Sequence, residues 1–188
     1  MAKMALDIKV VDKQGRVTYE THVIPNSKVT ALIAILYSQM RQIAGDGSTT
    51  NDTGGIARAF NPNSAVLNAN ATISNNAFGI QVGTGVAGVA LADFSLATLI
   101  AEGIGVGQLN YGAMSILAPL TIGSTRRFTA ARTLTNNSGA SITVNEVGFV
   151  VQAVGAGTWN FLIERTLLTF AIPNLATATV TYTISVTV

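Results

Sequence analysis

Apolar and hydroxyl residues alternate along the C-terminal segment. Val180, Tyr182, Ile184, Val186 and Val188 are interleaved with Thr179, Thr181, Thr183, Ser185 and Thr187. Successive strand side chains point to opposite faces, so the pattern predicts a strand with one apolar and one hydroxyl face. The apolar set, Val180, Tyr182, Ile184 and Val186, is expected to face the core. An unpaired edge of this quality would aggregate, so the strand is expected to be paired, within the chain or with a neighbouring subunit. Near the N-terminus, Met4, Leu6, Ile8 and Val10 alternate in the same way. Val17, Tyr19, Thr21 and Val23 follow after the turn Asp12-Lys13-Gln14-Gly15, which together predict a β-hairpin.

The period changes once. Leu32, Ile33, Leu36, Met40 and Ile43 recur at helical spacing, with Ser27 placed as a cap and Gly45 as a stop. A helix over about 28–44 is expected, docking its apolar stripe on a sheet with Leu36 at the centre. Residues 46–77 read as a polar loop or arm, broken by the turn signals Asp46-Gly47, Thr53-Gly54-Gly55 and Asn61-Pro62. Beyond Phe78 the signal is β, with strand candidates at 78–82, 108–117, 126–135, 141–152, 158–169 and 177–188. A short helix is expected within Ala90–Glu102. The turn clusters Asn136-Asn137-Ser138-Gly139, Gly155-Ala156-Gly157 and Pro173-Asn174 suit hairpin connections. The expected fold is mainly β: an antiparallel, jelly-roll-like sandwich with an N-terminal β-hairpin and one α-helix. It is read as one domain over 1–188, with hairpin plus helix at 1–45, the arm at 46–77 and the sandwich core at 78–188.

Composition narrows the function classes. Only 11% of the 188 residues are charged, against roughly 25% in an average soluble domain. The place of the missing charges is taken by Thr, Ser, Asn, Gly and Ala. A charge-poor surface gives little protection against association, so an obligate homo-oligomer is expected, with a trimer favoured. The net charge of +2 arises without a basic block, which argues against nucleic acid as a partner. Absence of cysteine excludes disulfides, thiolate metal sites and cysteine nucleophiles. The N-terminal residues alternate charge with apolar side chains and do not read as a secretory signal. Five glycines and a proline within 103–125 argue against a membrane-spanning helix there.

Chemical motifs are few. Gly83-Thr84-Gly85-Val86-Ala87-Gly88 fits the spacing of a dinucleotide fingerprint, but a helix opening at the third glycine and a parallel βαβ unit are not in the pattern. A tight turn is the expected reading. His22 is the single histidine, with no acids at metal-ligand spacing. The nine acids form no local pair of the kind a glycosidase uses. No catalytic, cofactor-binding or metal site is therefore expected, and the chain is read as a non-enzyme without small-molecule substrate. Structural or interaction roles are assigned to Arg126, Arg132, Glu146, Arg165, Leu36 and Tyr182. Arg126 and Arg132 share a strand face with Phe128, and Arg127 points the other way. Glu146 lies among Val144, Val147, Phe149 and Val150, and a buried carboxylate needs a partner. Arg132 is the first expected partner and Arg165 the second.

One succession of segments goes further. It runs from Ile80-Gln81-Val82-Gly83-Thr84-Gly85 through Ala92-Asp93-Phe94-Ser95 and Gly103-Ile104-Gly105-Val106-Gly107 to Leu134–Gly148 and Ile172–Tyr182, with Asp52–Arg58 upstream. The most specific part is the Asn-Ser-Gly turn followed by Ile142-Thr143-Val144-Asn145-Glu146-Val147-Gly148. This succession resembles small structural proteins of tailed-bacteriophage virions. The resemblance implies a β-rich, non-enzymatic virion component and carries no catalytic residues. The favoured role is a capsid decoration or cement protein that stabilises the head, with partners being further copies and other virion proteins such as the major capsid protein. The alternative is a tail, baseplate or fibre-associated subunit. A carbohydrate-binding sandwich module is a second alternative, for which Trp159 and Tyr111 are the candidate aromatic platforms.

Overall fold

A computed structural model describes residues 2–25, 30–41, 49–59, 67–154 and 157–187; for residues 2, 36–41, 49 and 154 it describes the backbone only. The chain is mainly β, with two antiparallel sheets face to face and one short helix. The large sheet has the order β2 (Val17–Val23), β1 (Ala2–Val11), β11 (Thr177–Thr187), β8 (Thr125–Thr135), β6 (Asn110–Ile116), and β7 (Leu120–Ile122) also pairs with β8. The small sheet is β10 (Thr158–Ile172), β9 (Ile142–Val154), β5 (Gly79–Gly83). A third, two-stranded sheet pairs β3 (Thr49–Asn51) with β4 (Ala57–Ala59).

The terminal strand is the middle of the large sheet. β11 pairs with β1 on one side and β8 on the other. The alternation therefore sets the register of three strands at once, because a one-residue slip would bury hydroxyls on all of them. Val180 and Tyr182 are fully buried, as are Leu6, Ile8 and Val10 opposite. The N-terminal hairpin is thus part of the sandwich rather than an appendage. Toward the end of β11 burial falls away. Ile184 is half-buried and Val186 is 46% exposed, so Val186 does not face the core as its alternation suggested. Ring stacking joins the two sheets: Phe149 lies on Tyr182 with centroids 5.1 Å apart, and Tyr19 on Phe170 at 5.4 Å.

The ribbon formed by β8–β11 folds over from the large sheet as the hairpin β9–β10 of the small sheet. Asn136 builds that corner and is fully buried. Its Nδ2 donates to the carbonyls of Ala140 (2.8 Å) and Ile172 (2.7 Å), and its Oδ1 accepts from the N–H of Ser138. Its backbone exchanges hydrogen bonds with Ala176 and Leu175. Leu175 holds φ at 65°, a left-handed conformation that a leucine adopts only where its surroundings impose it. Gly139, at φ 86°, completes the turn and donates to Asn174 Oδ1.

The helix α1 (Thr30–Arg41) packs on β10 and β3. It is anchored by Thr30, whose N–H and hydroxyl both donate to the Leu91 carbonyl. Ala31 and Ile35 are its buried residues, whereas Ile33, expected on the apolar stripe, is 65% exposed. Position 33 lies about 180° around a 3.6-residue helix from the centre of the Ala31–Ile35 line, so it cannot share that contact. The Leu36 and Met40 side chains, the Ser27 cap, Ile43 and the Gly45 stop lie outside the described residues. The expected short helix in Ala90–Glu102 is replaced by turns and two isolated bridges, Leu99 to Gly83 and Glu102 to Leu109. The described parts of the expected arm are folded on the sheets. Thr53 N–H donates to the Asn160 carbonyl, and Ala71 and Ser74 bond to the edge of β6.

Candidate functional site

Beyond the Asn136 corner, three clusters hold the buried Glu146, Arg165, Arg132, Glu164 and Thr166. The first lies on the outer face of the small sheet, under a strap running from Thr84 to Thr98. Glu146 on β9 is fully buried. Its Oε1 accepts from the N–H of Gly85 (3.1 Å) and Thr98 (2.8 Å), and its Oε2 from the N–H of Ala97 (3.1 Å) and from Arg165 Nε (2.7 Å). Arg165 on β10 reaches on to Asp93 Oδ2 (2.8 Å) and the Ala87 carbonyl (2.9 Å). Burial alone would lower the Arg165 pKa; the Asp93 and Glu146 carboxylates outweigh it and hold that pKa up. One carboxylate and one guanidinium thus fasten both ends and the middle of the strap. The partner of Glu146 is Arg165, not Arg132, which was expected first.

This cluster also explains the glycine motif. A Cβ on Gly83 or Gly85 would run into Glu146, whereas one on Gly88 would meet nothing within 4 Å. No helix begins at Gly88. The first two glycines make room for a buried carboxylate, and the spacing has no phosphate-binding geometry behind it.

Arg132 forms the second cluster, on the inner face of β8, with 1% of its surface exposed. Its Nε donates to the Gly112 carbonyl (2.8 Å), Nη1 to those of Phe78 and Ile80 (3.1 Å each), and Nη2 to those of Thr72 and Asn75. It also stacks over Tyr111 at 4.8 Å. Phe78 and Ile80 present alternate carbonyls along the outer edge of β5, so the planar fork closes the sandwich on that side. Burial pulls the Arg132 pKa down, with Tyr111 and Glu102 acting in the opposite sense. The sequence reading missed this role because backbone carbonyls leave no mark in a sequence.

The third cluster lies between the sheets. Tyr182 on β11 donates its hydroxyl to Glu164 Oε2 on β10, and Thr166 Oγ1 donates to Glu164 Oε1. Burial, reinforced by the Glu164 charge, pushes the Tyr182 pKa well above its usual value. Tyr182 was read only as a core residue; the apolar neighbours on β11 hid its polar contact.

Asp52, itself buried, organises the β3–β4 hairpin. It accepts from the N–H of Gly54 and Ile56 and from Arg58 Nε (2.8 Å), and Arg58 in turn lies over the Trp159 ring at 5.1 Å. Burial pushes the Asp52 pKa up, but the Arg58 and backbone hydrogen bonds prevail and hold it below its ordinary value. An Asp two residues before a Gly-Gly pair is a turn signal that the sequence did contain. Trp159 is therefore occupied by Arg58, and Tyr111 is 1% exposed, so neither is the open platform that a sugar-binding role called for.

Arg126 is exposed and donates to Thr121 Oγ1 at 3.0 Å. His22 Nδ1 lies 2.6 Å from Asp7 Oδ1, beside a shallow concavity of about 540 Å³ on the outer face of the large sheet. In the strand register Asp7 stands between His22 and Thr181. A nucleophilic triad needs the imidazole between carboxylate and hydroxyl, so this row has the wrong order. Among the described residues, no group of three or more His, Asp or Glu is placed to hold a metal ion, and no helix is long and apolar enough to cross a membrane. Compared with known proteins, the chain matches no family model, no curated protein and no solved structure.

Proposed function

We propose that this chain is a structural component of a tailed-phage virion, acting on the capsid exterior as a decoration or cement subunit. It would work through subunit–subunit contacts, with further copies of itself and with other virion proteins such as the major capsid protein, rather than through catalysis. The observation that carries this reading is the surface. Val86, Leu91, Ile104 and Val106 are 75%, 71%, 68% and 88% exposed, and they project from loops that hydrogen bonds hold in place. Large apolar side chains held outward on a charge-poor protein suit protein contacts better than they suit free solution. The buried ionic groups supply the complementary argument. Glu146, Arg165 and Arg132 each bond to the chain's own backbone, which is the chemistry of a scaffold.

The test is localisation. Antibody raised against this chain and imaged on negatively stained host particles should decorate heads. Decoration of tails or fibres would move the assignment to the tail-associated alternative. Particles that contain no copy of the chain would overturn the virion reading.

A further inference from the structure

The large sheet ends in strands whose edges are treated differently. The edge of β6 is covered: Met114 N–H donates to the Ala71 carbonyl and Ser74 N–H to the Tyr111 carbonyl. At the opposite side, β2 carries Glu20, and a charged side chain discourages strand addition. β7 has neither protection. Its residues are Leu120, Thr121 and Ile122; all three are exposed, with Leu120 and Ile122 each at 55%. Ile116 (44%), Leu117 (61%) and Val186 (46%) extend the apolar surface around it.

We propose that β7 is the edge through which two copies of this chain pair, antiparallel, about a twofold axis through Thr121. The geometry of the β7–β8 hairpin carries this. Ile122 and Thr125 flank a two-residue turn whose first residue, Gly123, has φ 57°, as the tight hairpin turns require. Such a turn is closed by a hydrogen-bonded pair, here Ile122–Thr125, and the pairs then alternate, so Leu120–Arg127 is hydrogen-bonded and Thr121–Arg126 is not. The N–H and C=O of Thr121 therefore point away from β8, into the open edge. No backbone hydrogen bond outside the strand ladders uses them among the described residues.

The edge is self-complementary. A twofold axis at Thr121 sets each Leu120 against the Ile122 of the other copy and brings the two Thr121 residues together to exchange their outward N–H and C=O groups. The three positions carry no charge, so no like charges stand directly opposite; the Arg126 of each copy, bonded to its own Thr121 Oγ1, flanks the axis. A twofold contact uses one patch twice, which a single unprotected edge can supply. Pro119 has no N–H and limits the ladder at its N-terminal end. This inference rests on the self-association in the proposed function and names its surface. It gives a dimeric unit; the trimer expected from the sequence would need a different contact.

Sedimentation velocity over the micromolar range tests it, on wild type, Thr121→Pro and the double variant Leu120→Lys/Ile122→Lys. Proline at 121 removes the outward-pointing N–H and the Oγ1 that accepts from the exposed Arg126, but no backbone bond of the ladder to β8. The expected result is a dimer for wild type and a monomer of unchanged circular dichroism for both variants. If one variant fails to fold, the other decides. Wild type that associates equally well with either folded variant would overturn the β7 edge while leaving self-association standing. Monomeric wild type throughout would overturn both.

Discussion

Arg165 and Glu146 face each other across β10 and β9 at 2.7 Å, both essentially without solvent contact. Neither is satisfied by the other alone. Glu146 also takes three backbone N–H groups of the strap, and Arg165 also takes Asp93 and a strap carbonyl. The ion pair is the rivet that holds irregular chain over a sheet, and an apolar replacement would leave those backbone groups without partners.

Glu146→Gln tests this directly. An amide keeps the shape but turns one acceptor oxygen into a donor facing donors. The expected loss is about 3 kcal/mol in denaturant unfolding, with faster hydrogen exchange at Gly85, Ala97 and Thr98 than elsewhere. Glu146→Leu should be no better, because it strands four donors. A Gln variant of wild-type stability would show that the carboxylate charge is not needed.

The glycine run gives an internal control. Gly85→Ala drives a methyl group into Glu146 and is expected to destabilise by roughly 1–3 kcal/mol. Gly88→Ala meets nothing within 4 Å and should lie within about 0.5 kcal/mol of wild type. Thermal melts of the two variants check the contrast; equal effects would remove the packing explanation of the motif.

Tyr182→Phe keeps the stack on Phe149 and removes one donor from the buried Glu164 carboxylate. The expected cost is about 1–3 kcal/mol at neutral pH. The variant should also unfold less cooperatively with the small sheet, read by comparing near-ultraviolet and far-ultraviolet circular dichroism. Unchanged stability would mean that the hydroxyl contributes nothing net to joining the sheets.

The Asp52 carboxyl is held below its ordinary value of 3.8. A depressed folded pKa means that its contribution is complete above the unfolded value and is lost as pH falls through the folded one. The hairpin should therefore loosen only below about pH 4, and Trp159, the single tryptophan, reports it through the stacked Arg58. The acid transition in Trp fluorescence should be absent in Asp52→Asn. A transition that persists in that variant would assign it to another group.

The N-terminal hairpin, six of the seven strands beyond Phe78 and the helix were readable from local pattern; the three-residue β7 was not. Period-two alternation and turn residues are properties of neighbouring positions, and each of those six strands carries enough of them. The same holds for the Asn136–Gly139 corner, whose turn chemistry lies within four residues. The burial of Glu146 was expected from its apolar neighbours in sequence, but alternation turns Val147 and Phe149 to the other face; the strap over the outer face is what covers it. The partner of Glu146 was not legible. Arg132 and Arg165 both lie on strands of the sandwich, and only the sheet order decides that β10, not β8, runs beside β9.

The sequence by itself determined which positions pair into strands and which face of each strand is apolar, because both follow from the two-residue repeat of an extended chain. Tertiary structure decided how far those faces are covered. Val180 and Val186 are equivalent in the pattern, yet one is buried and the other half-exposed. It also decided that Arg132 would serve carbonyls, that Gly83 and Gly85 would make room for a carboxylate, and that β7 would be left with an open edge. Each of these depends on groups far apart in the chain meeting at a few ångströms, and no local periodicity encodes such a meeting.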